Sequence, residues 1–161
     1  MAISIQKVDL RVLNMKTRMP FRYGMASLVG LPHLFLRVEA DIDGRSEVGI
    51  AAEGLPPKWF TKNPDSSFAE DLVEMLGVIR QASQSAEEIG SAATVFEFWQ
   101  TLYDRQRAWG DDSGLPPLLW GFGVTLVERA LIDAFCRARR VPFARAVHEN
   151  LFGTRLEVIY P

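Results

Sequence analysis

Cysteine and histidine are scarce in this chain. Its 161 residues include one cysteine, Cys136, so no internal disulfide can form, and this composition suits a reducing compartment. The two histidines, His33 and His148, lie far apart, and neither has a second histidine at the spacing that zinc sites use. We therefore expect neither a disulfide scaffold nor a histidine-based metal site.

The chain also lacks a strong net charge and a long apolar run. Its formal charge is −2 and no run of lysine or arginine forms a local basic patch, so we expect no binding to nucleic acid or anionic membranes. Lys7, Asp9 and Arg11 interrupt the apolar N-terminal residues, which excludes a signal-peptide core. No segment reaches the ~20 apolar residues of a membrane helix. These absences predict a soluble cytoplasmic protein with one main core.

A helical pattern dominates residues 121–139. Apolar residues recur there at the spacing that places one side of a helix against a core: Val124, Val127, Leu131, Ala134, Phe135 and Ala138. The charged residues Arg129, Asp133 and Arg137 follow one another every four positions, so Asp133 can pair with either arginine. We expect the rest of the chain to pack on this helix.

Two features of this helix allow more than one interpretation. Glu128 lies near the apolar side, where it either closes a capping box with Thr125 or is buried with a partner. Gly121 and Gly123 lie at the start of the helical pattern, but no strand comes before them and the third glycine of a dinucleotide-binding fingerprint is absent. We interpret these glycines as sites of close helix packing.

Alternating apolar residues upstream predict three strands. The first covers residues 3–13, with a change of phase at Gln6-Lys7 that indicates a bulge. The second covers residues 34–40 and the third residues 48–53, and Asp43-Gly44 between them is a hairpin dipeptide. Three successive strands of this kind form an antiparallel meander.

Irregular apolar segments are predicted after the first and third strands. Residues 14–32 fit neither a strand nor a helix, and loops of this length are usually functional or disordered. Because this segment is rich in aromatic residues and methionines, we expect it to be ordered and to lie against another part of the protein. Residues 54–60 contain two prolines, which cannot donate to a sheet ladder.

Capping signals locate two helices before the dominant one. Ser67 with Glu70 predicts a helix to about residue 82, and Thr94 with Glu97 predicts another that ends near residue 110. Residues 83–93 are small and polar, which indicates a linker with room for one helical turn. After the dominant helix we expect a short helix from residue 142 and a strand over residues 156–160. A terminal apolar strand has no later partner, so we expect a second domain to begin there.

The sequence Glu128-Arg129-Ala130-Leu131-Ile132-Asp133 matches an E-x-A-L-x-D pattern. With the order of elements above, it resembles the N-terminal capping domain of the enolase superfamily, in the mandelate racemase and muconate lactonizing enzyme branch. The resemblance covers almost the whole chain but only the first part of such an enzyme. It implies an α+β fold in which a three-stranded antiparallel meander sheet packs against a helical bundle. Residues 1–153 would form the capping domain and residues 154–161 the start of the first strand of a (β/α)7β barrel.

The resemblance also implies a reaction, which the chain alone should not catalyse. Enzymes of this kind abstract a proton next to a carboxylate and hold the resulting enediolate on Mg²⁺, and their metal ligands and bases lie on the barrel. We therefore expect no catalytic residue, metal ligand or cofactor in this chain. A full-length enzyme would use Mg²⁺, a small carboxylate substrate and its own C-terminal barrel, and it could form a homo-oligomer. The segment Asn150–Gly153 departs from the Leu-Leu-Gly-Gly type usual in the family.

Two loops match the capping loops that close the active site in this family. Cationic and hydroxyl groups there would orient an anionic substrate, and aromatic rings would exclude water. The candidate lid residues are Phe21, Arg22, Tyr23, Lys58, Trp59 and Phe60. Alternatively, these side chains only fix the loops to their own domain. By the same resemblance, Glu128 and Asp133 form a structural motif that braces the capping domain.

Two other interpretations of the chain stay open. The chain could be a stand-alone binding or assembly module that reuses the capping fold, or a truncated gene product without activity. The resemblance does not choose among acid sugars, amino-acid derivatives, muconates and aryl hydroxy acids as substrates.

Overall fold

The computed structural model describes residues 2–23, 26–61 and 63–159, with the backbone alone for Tyr23 and Ala26. Strands come first and helices follow, as in an α+β fold. The elements are β1 (Ile3–Tyr23), β2 (Ala26–Ile42), β3 (Arg45–Gly54), a 3-10 turn (Pro57–Trp59), α1 (Phe68–Glu88), α2 (Val95–Asp112), α3 (Pro117–Arg139), α4 (Phe143–His148) and a second 3-10 turn (Leu156–Val158).

The strands form one antiparallel sheet in the order β1-β2-β3, which confirms the predicted meander. Asp43 and Gly44 have φ angles of 54° and 79°, the conformation of a type I′ hairpin turn. The register of β1 against β2 shifts between Ile5 and Lys7, which confirms the bulge. Because of the bulge, the side chains of Ile3 and Ile5 face the same core as those of Val8 and Leu10.

Helix α3 is the centre of the core, as its pattern predicts. It contacts β2, β3, α1, α2 and α4, and its buried residues include Leu126, Val127, Ala130, Leu131 and Ala134. A Cβ atom on Gly49 of β3 would overlap the carbonyl oxygen of Ala130, so strand and helix touch through their backbones. In the part of the chain that the structure describes, no helix combines the length and hydropathy needed to cross a membrane.

Helix α1 is longer than predicted. Its capping box is confirmed, since Ser67 Oγ accepts from the Glu70 amide and the Glu70 carboxylate accepts from the Ser67 amide. However, the helix continues to Glu88, so the predicted linker is wrong for residues 83–88, and only its residues 89–93 lie between α1 and α2. The small side chains beyond residue 82 face inward, and the buried Ser83 hydroxyl donates to the Ile79 carbonyl at 2.8 Å. The buried small residues Ser83, Ser85 and Ala86 therefore allow this part of α1 to pack closely against the core.

The predicted irregular loop over residues 14–32 is also wrong. β1 and β2 stay paired up to Tyr23 and Ala26, with a register shift between Lys16 and Phe21. β3 ends where Gly54 pairs with His33, so the remaining hairpin projects as a two-stranded ribbon, residues 14–32. Three of its apolar side chains are largely exposed, since Met19, Phe21 and Val29 are 68%, 59% and 63% exposed, whereas Leu28 and Leu31 are half-buried.

The C-terminal segment differs from the predicted strand as well. Leu156–Val158 form a 3-10 turn, and Tyr160 lies outside the described residues. A strand needs a neighbour for its backbone N–H and C=O groups, and among the described residues this segment has no sheet partner. The division into a capping domain over residues 1–153 and a barrel strand from residue 154 stays a prediction.

Candidate functional site

The two predicted lid segments start from the same end of the sheet. Gly54, the last residue of β3, pairs with His33 of β2. The ribbon continues beyond this pair, and the 3-10 turn Pro57–Trp59 follows directly after it along the chain. The fold therefore brings both segments to one end of the molecule, where they could face a common ligand.

Two of the candidate side chains in the ribbon lie in its outer part. Phe21 pairs with Leu28 and Arg22 with Ser27, and both side chains are exposed. The backbone of Tyr23 pairs with Ala26, but its side chain lies outside the described residues. Substrate contact by these three residues stays a prediction.

The ribbon has a charge that sequence analysis overlooked. Residues 10–38, which include the ribbon, contain no aspartate or glutamate but five basic residues: Arg11, Lys16, Arg18, Arg22 and Arg37. Three of them, Lys16, Arg18 and Arg22, lie in the ribbon itself. Arg37 pairs with Asp9 and Glu39, whereas the other four form no ion pair among the residues described. The signal was in the sequence, but the basic residues are spaced apart and form no run that would mark a basic patch.

Lys58 is held within the domain. Its Nζ lies 2.7 Å from Asp71 Oδ2 and donates to the carbonyls of Asn63 and Ser66 at 2.9 and 2.7 Å. Asp71 is 3% exposed. Burial acts to raise the pKa of this carboxyl, but hydrogen bonds from Lys58 and Ser66 and the Lys58 charge bring the pKa below its usual value. The bridge fixes the loop after β3 to the first turn of α1.

The two aromatic residues of the second segment have different positions. Trp59 is 58% exposed. Phe60 is half-buried, and its ring lies 4.8 Å from that of Phe122 in α3. Together with Pro56 and Leu118 they border a groove of about 330 Å³. Phe60 thus anchors the segment while Trp59 is largely exposed, and substrate contact by either residue stays a prediction.

Asp133 connects α3 to the sheet. Its Oδ2 accepts hydrogen bonds from the Ile50 amide and from Arg137 Nε, each at 3.0 Å. The Ile50 amide is on an edge strand and would otherwise point to solvent. Arg129, the other arginine in the row, instead reaches Glu53 of β3 at 3.2 Å. The charged side of the helix therefore fastens it to β3.

Glu128 adopts neither arrangement expected from the sequence. Helix α3 begins at Pro117, so Thr125 lies inside it and cannot cap; its Oγ1 donates to the Phe122 carbonyl. Glu128 is half-buried and has no hydrogen bond or ion pair with any described residue. Burial raises the pKa of its carboxyl, and the neighbouring Arg129 charge offsets this only in part.

The described residues do not form a metal site or an activated thiol. They contain no group of three His, Cys, Asp or Glu side chains that could hold an ion. Burial and the negative charge of Asp133 raise the pKa of the Cys136 thiol, which disfavours the reactive thiolate. His33 packs with its ring centre 5.2 Å from that of Phe35.

Comparisons with known proteins give structural matches only. No protein-family model and no curated protein matches the chain. An enolase from alpha proteobacterium bal199 with bound Mg superposes on 90% of the chain with a TM-score of 0.62 at 16% identity. An enolase from Bradyrhizobium complexed with magnesium and mandelic acid superposes on 92% with a TM-score of 0.58 at 14% identity. The chain has the capping-domain fold of the enolase superfamily.

This capping-domain fold accounts for only part of the matched proteins. The chain spans 34% and 35% of the two enolases, and 33% of a mandelate racemase/muconate lactonizing enzyme-like protein from Rubrobacter xylanophilus, which matches with a TM-score of 0.55 at 17% identity. The matches thus agree with the N-terminal domain that the E-x-A-L-x-D pattern and the element order predict. At 14–17% sequence identity, these matches establish the fold but not the activity.

Proposed function

We propose that the chain is the N-terminal capping domain of a mandelate racemase/muconate lactonizing enzyme-like protein, in which it acts as a substrate-selecting lid. The full-length cytoplasmic enzyme would abstract a proton next to a carboxylate. The observation that carries this proposal is the fold match over nine-tenths of the chain and about a third of each matched protein. One matched enolase holds magnesium and mandelic acid, a small hydroxy carboxylate.

The described residues do not fit a magnesium site, because they contain no cluster of three potential ligands. We therefore assign the metal and the catalytic bases to a C-terminal barrel, and derive no step of the reaction from this chain. What the chain supplies is binding and exclusion of water. The basic ribbon would attract an anionic substrate, with Arg22 as the candidate contact.

Within the second segment, the geometry divides the candidate lid residues into two roles. Lys58 and Phe60 are held by Asp71 and Phe122, so they position the segment. Trp59, which is largely exposed, is the candidate for covering the substrate. A lid that is fixed at its base and apolar at its tip can exclude water without a large loss of entropy.

The proposal is tested by exchange of the substrate α-proton in D2O, with Mg²⁺ and a panel of carboxylates. A protein in which the reading frame continues past Pro161 into a barrel should catalyse exchange, and the 161-residue chain should not. In the longer protein Arg22→Ala should raise KM for the active carboxylate, whereas Arg80→Ala, on α1, should leave KM unchanged. Metal-dependent exchange by the short chain alone would overturn the proposal.

The alternative, a stand-alone binding or assembly module, has a different signature. The exposed basic ribbon would then bind anionic compounds without any barrel. Saturable binding of a carboxylate by the 161-residue chain, lost in Arg22→Ala, together with a stop codon after Pro161, would favour the module over the lid.

A further inference from the structure

A second groove lies between α2 and the first half of α3, and the proposed lid function does not use it. Its volume is about 320 Å³, near the small end of the range for ligand pockets, about 300–1,000 Å³. Its walls are mainly apolar and aromatic, and Glu128 is the charged residue among its described lining residues. The residues that the argument uses are Phe60, Trp99, Tyr103, Leu118, Phe122 and Glu128.

Gly121 keeps this groove open. A Cβ atom built on Gly121 would meet no atom within 4 Å, so the space beside it is empty. The next glycine, Gly123, lies on a different side of α3, where a Cβ would overlap the backbone of α1 at Val78. Gly123 therefore serves packing, while Gly121 lines a space that packing leaves unfilled.

The carboxylate of Glu128 forms no ion pair with any residue that the structure describes. No described residue donates a hydrogen bond to it, and the arginine beside it, Arg129, is bound to Glu53 and to the Thr125 carbonyl. A half-buried carboxylate without a partner carries a desolvation penalty. A cation that enters the groove would offset this penalty by its attraction to the carboxylate, and an anion or a neutral alkane would not.

The aromatic walls favour the same kind of ligand. The rings of Trp99 and Tyr103 lie 5.3 Å apart, one helical turn from each other on α2. Aromatic faces attract ammonium and guanidinium groups within about 6 Å. This cluster already does so inside the chain, because the guanidinium carbon of Arg107 lies 5.9 Å from the centre of the Tyr103 ring.

We propose that this groove binds a small organic cation, an alkylammonium or alkylguanidinium compound, with its charge at Glu128 and its hydrocarbon part against Phe60, Trp99 and Phe122. The carboxylate supplies the charge contact and the rings supply apolar surface and cation–π attraction. The site is separate from the basic ribbon, which attracts charge of the opposite sign.

The test is a titration of the 161-residue chain with n-butylammonium at constant ionic strength and pH 8, followed by the backbone amide shifts of residues 121–128. We expect saturable shifts confined to the groove. Glu128→Gln should weaken binding by about tenfold or more, because the charge contact is lost while shape is kept. Gly121→Leu should abolish binding by filling the groove. Glu88→Gln, an exposed glutamate at the end of α1, should bind as the unmodified chain does.

Two kinds of control accompany the titration: one tests whether each variant is folded, and the other tests whether binding needs a positive charge. Amide shifts outside the groove show whether each variant is folded, and a second filling variant, Gly121→Met, replaces Gly121→Leu if that protein does not fold. 1-Butanol and butyrate have the same chain length without a positive charge and should not saturate the site. Equal affinity for 1-butanol and n-butylammonium would overturn the proposal. So would unchanged affinity in Glu128→Gln, or no saturable shift in the unmodified chain.

Discussion

At the scale of single residues, two glycines of α3 differ in the space that an added Cβ atom would find. Gly123 is where α3 crosses α1: an added Cβ would overlap the Val78 carbonyl and lie 3.0 Å from the Ala82 Cβ. Gly121 faces the open groove. The sequence predicted that both glycines allow close packing, and the structure confirms this for Gly123 but not for Gly121.

We predict opposite stability changes for the two alanine substitutions. Gly123→Ala should lower the free energy of unfolding by about 1–3 kcal/mol, because two helices must separate. Gly121→Ala should raise it by up to about 1 kcal/mol, because alanine favours the helix and meets no neighbour. Urea denaturation followed by circular dichroism measures both. Destabilisation of similar size in the two variants would show that Gly123 is not needed for the close contact between α3 and α1.

The Lys58–Asp71 pair gives a second residue-scale prediction. Lys58→Met should destabilise the domain by about 1–3 kcal/mol at pH 7, because the buried Asp71 carboxylate loses its cation. Lys7→Met removes a lysine from a more exposed pair with Asp9, and should have little effect. Thermal unfolding of the two variants and the unmodified chain provides the comparison.

The same pair should make stability depend on pH in a defined direction. The folded-state pKa of Asp71 lies below its ordinary value of 3.8, so the folded state binds this proton less readily than the unfolded state. The contribution of the pair is therefore present above pH 3.8 and is lost as the pH falls through the lowered pKa. Lys58→Met should remove this part of the acid dependence. An identical pH profile for both proteins would mean that Asp71 does not need Lys58 to ionise.

At the scale of elements, sequence reasoning succeeded where one face of an element is buried. β2 alternates between core and solvent, α3 has a wide apolar side, and both capping signals mark observed helix starts. The reasoning failed for the ribbon because neither face is covered, so no alternation of polar and apolar residues distinguishes it from a loop. It failed at the end of α1 because buried serines and alanines resemble a linker in composition.

The same limit applies to the candidate site. The two candidate lid segments could be proposed from their place after the first and third strands, and the E-x-A-L-x-D pattern located α3. The partner of Lys58 could not be predicted, since Asp71 lies in another element and no periodicity relates the two residues. The groove at Glu128 is likewise formed by α2, α3 and the segment after β3, and exists only once these pack together.

The ribbon should be the least stable element. Isolated two-stranded hairpins are marginally stable in water, and this one extends past the third strand with its basic side chains accessible. We predict that trypsin cleaves first after Lys16, Arg18 or Arg22, and that mass spectrometry finds these cuts while residues 33–153 remain intact. First cleavage within α1 or α2 would show that the helical layer opens before the ribbon does.

At the scale of the whole molecule, charge and apolar surface are unevenly distributed. The ribbon concentrates basic residues and exposed apolar side chains, although the chain as a whole carries a formal charge of −2. Its strand β1 is also an edge of the sheet, and exposed edges can pair with another chain. In a capping domain these features suit a surface that another domain covers.

This distribution predicts that the 161-residue chain self-associates. Exposed apolar residues of the ribbon and its open strand edge favour contact with a second copy. Sedimentation velocity should show a weight-average mass that rises with protein concentration. The double substitution Met19→Ser with Phe21→Ser should reduce this rise, whereas Val73→Ser, which changes an equally exposed residue on α1 (67% exposed), should leave it unchanged. A monomer at every concentration would contradict the prediction, and equal effects of the two variants would place the contact outside the ribbon.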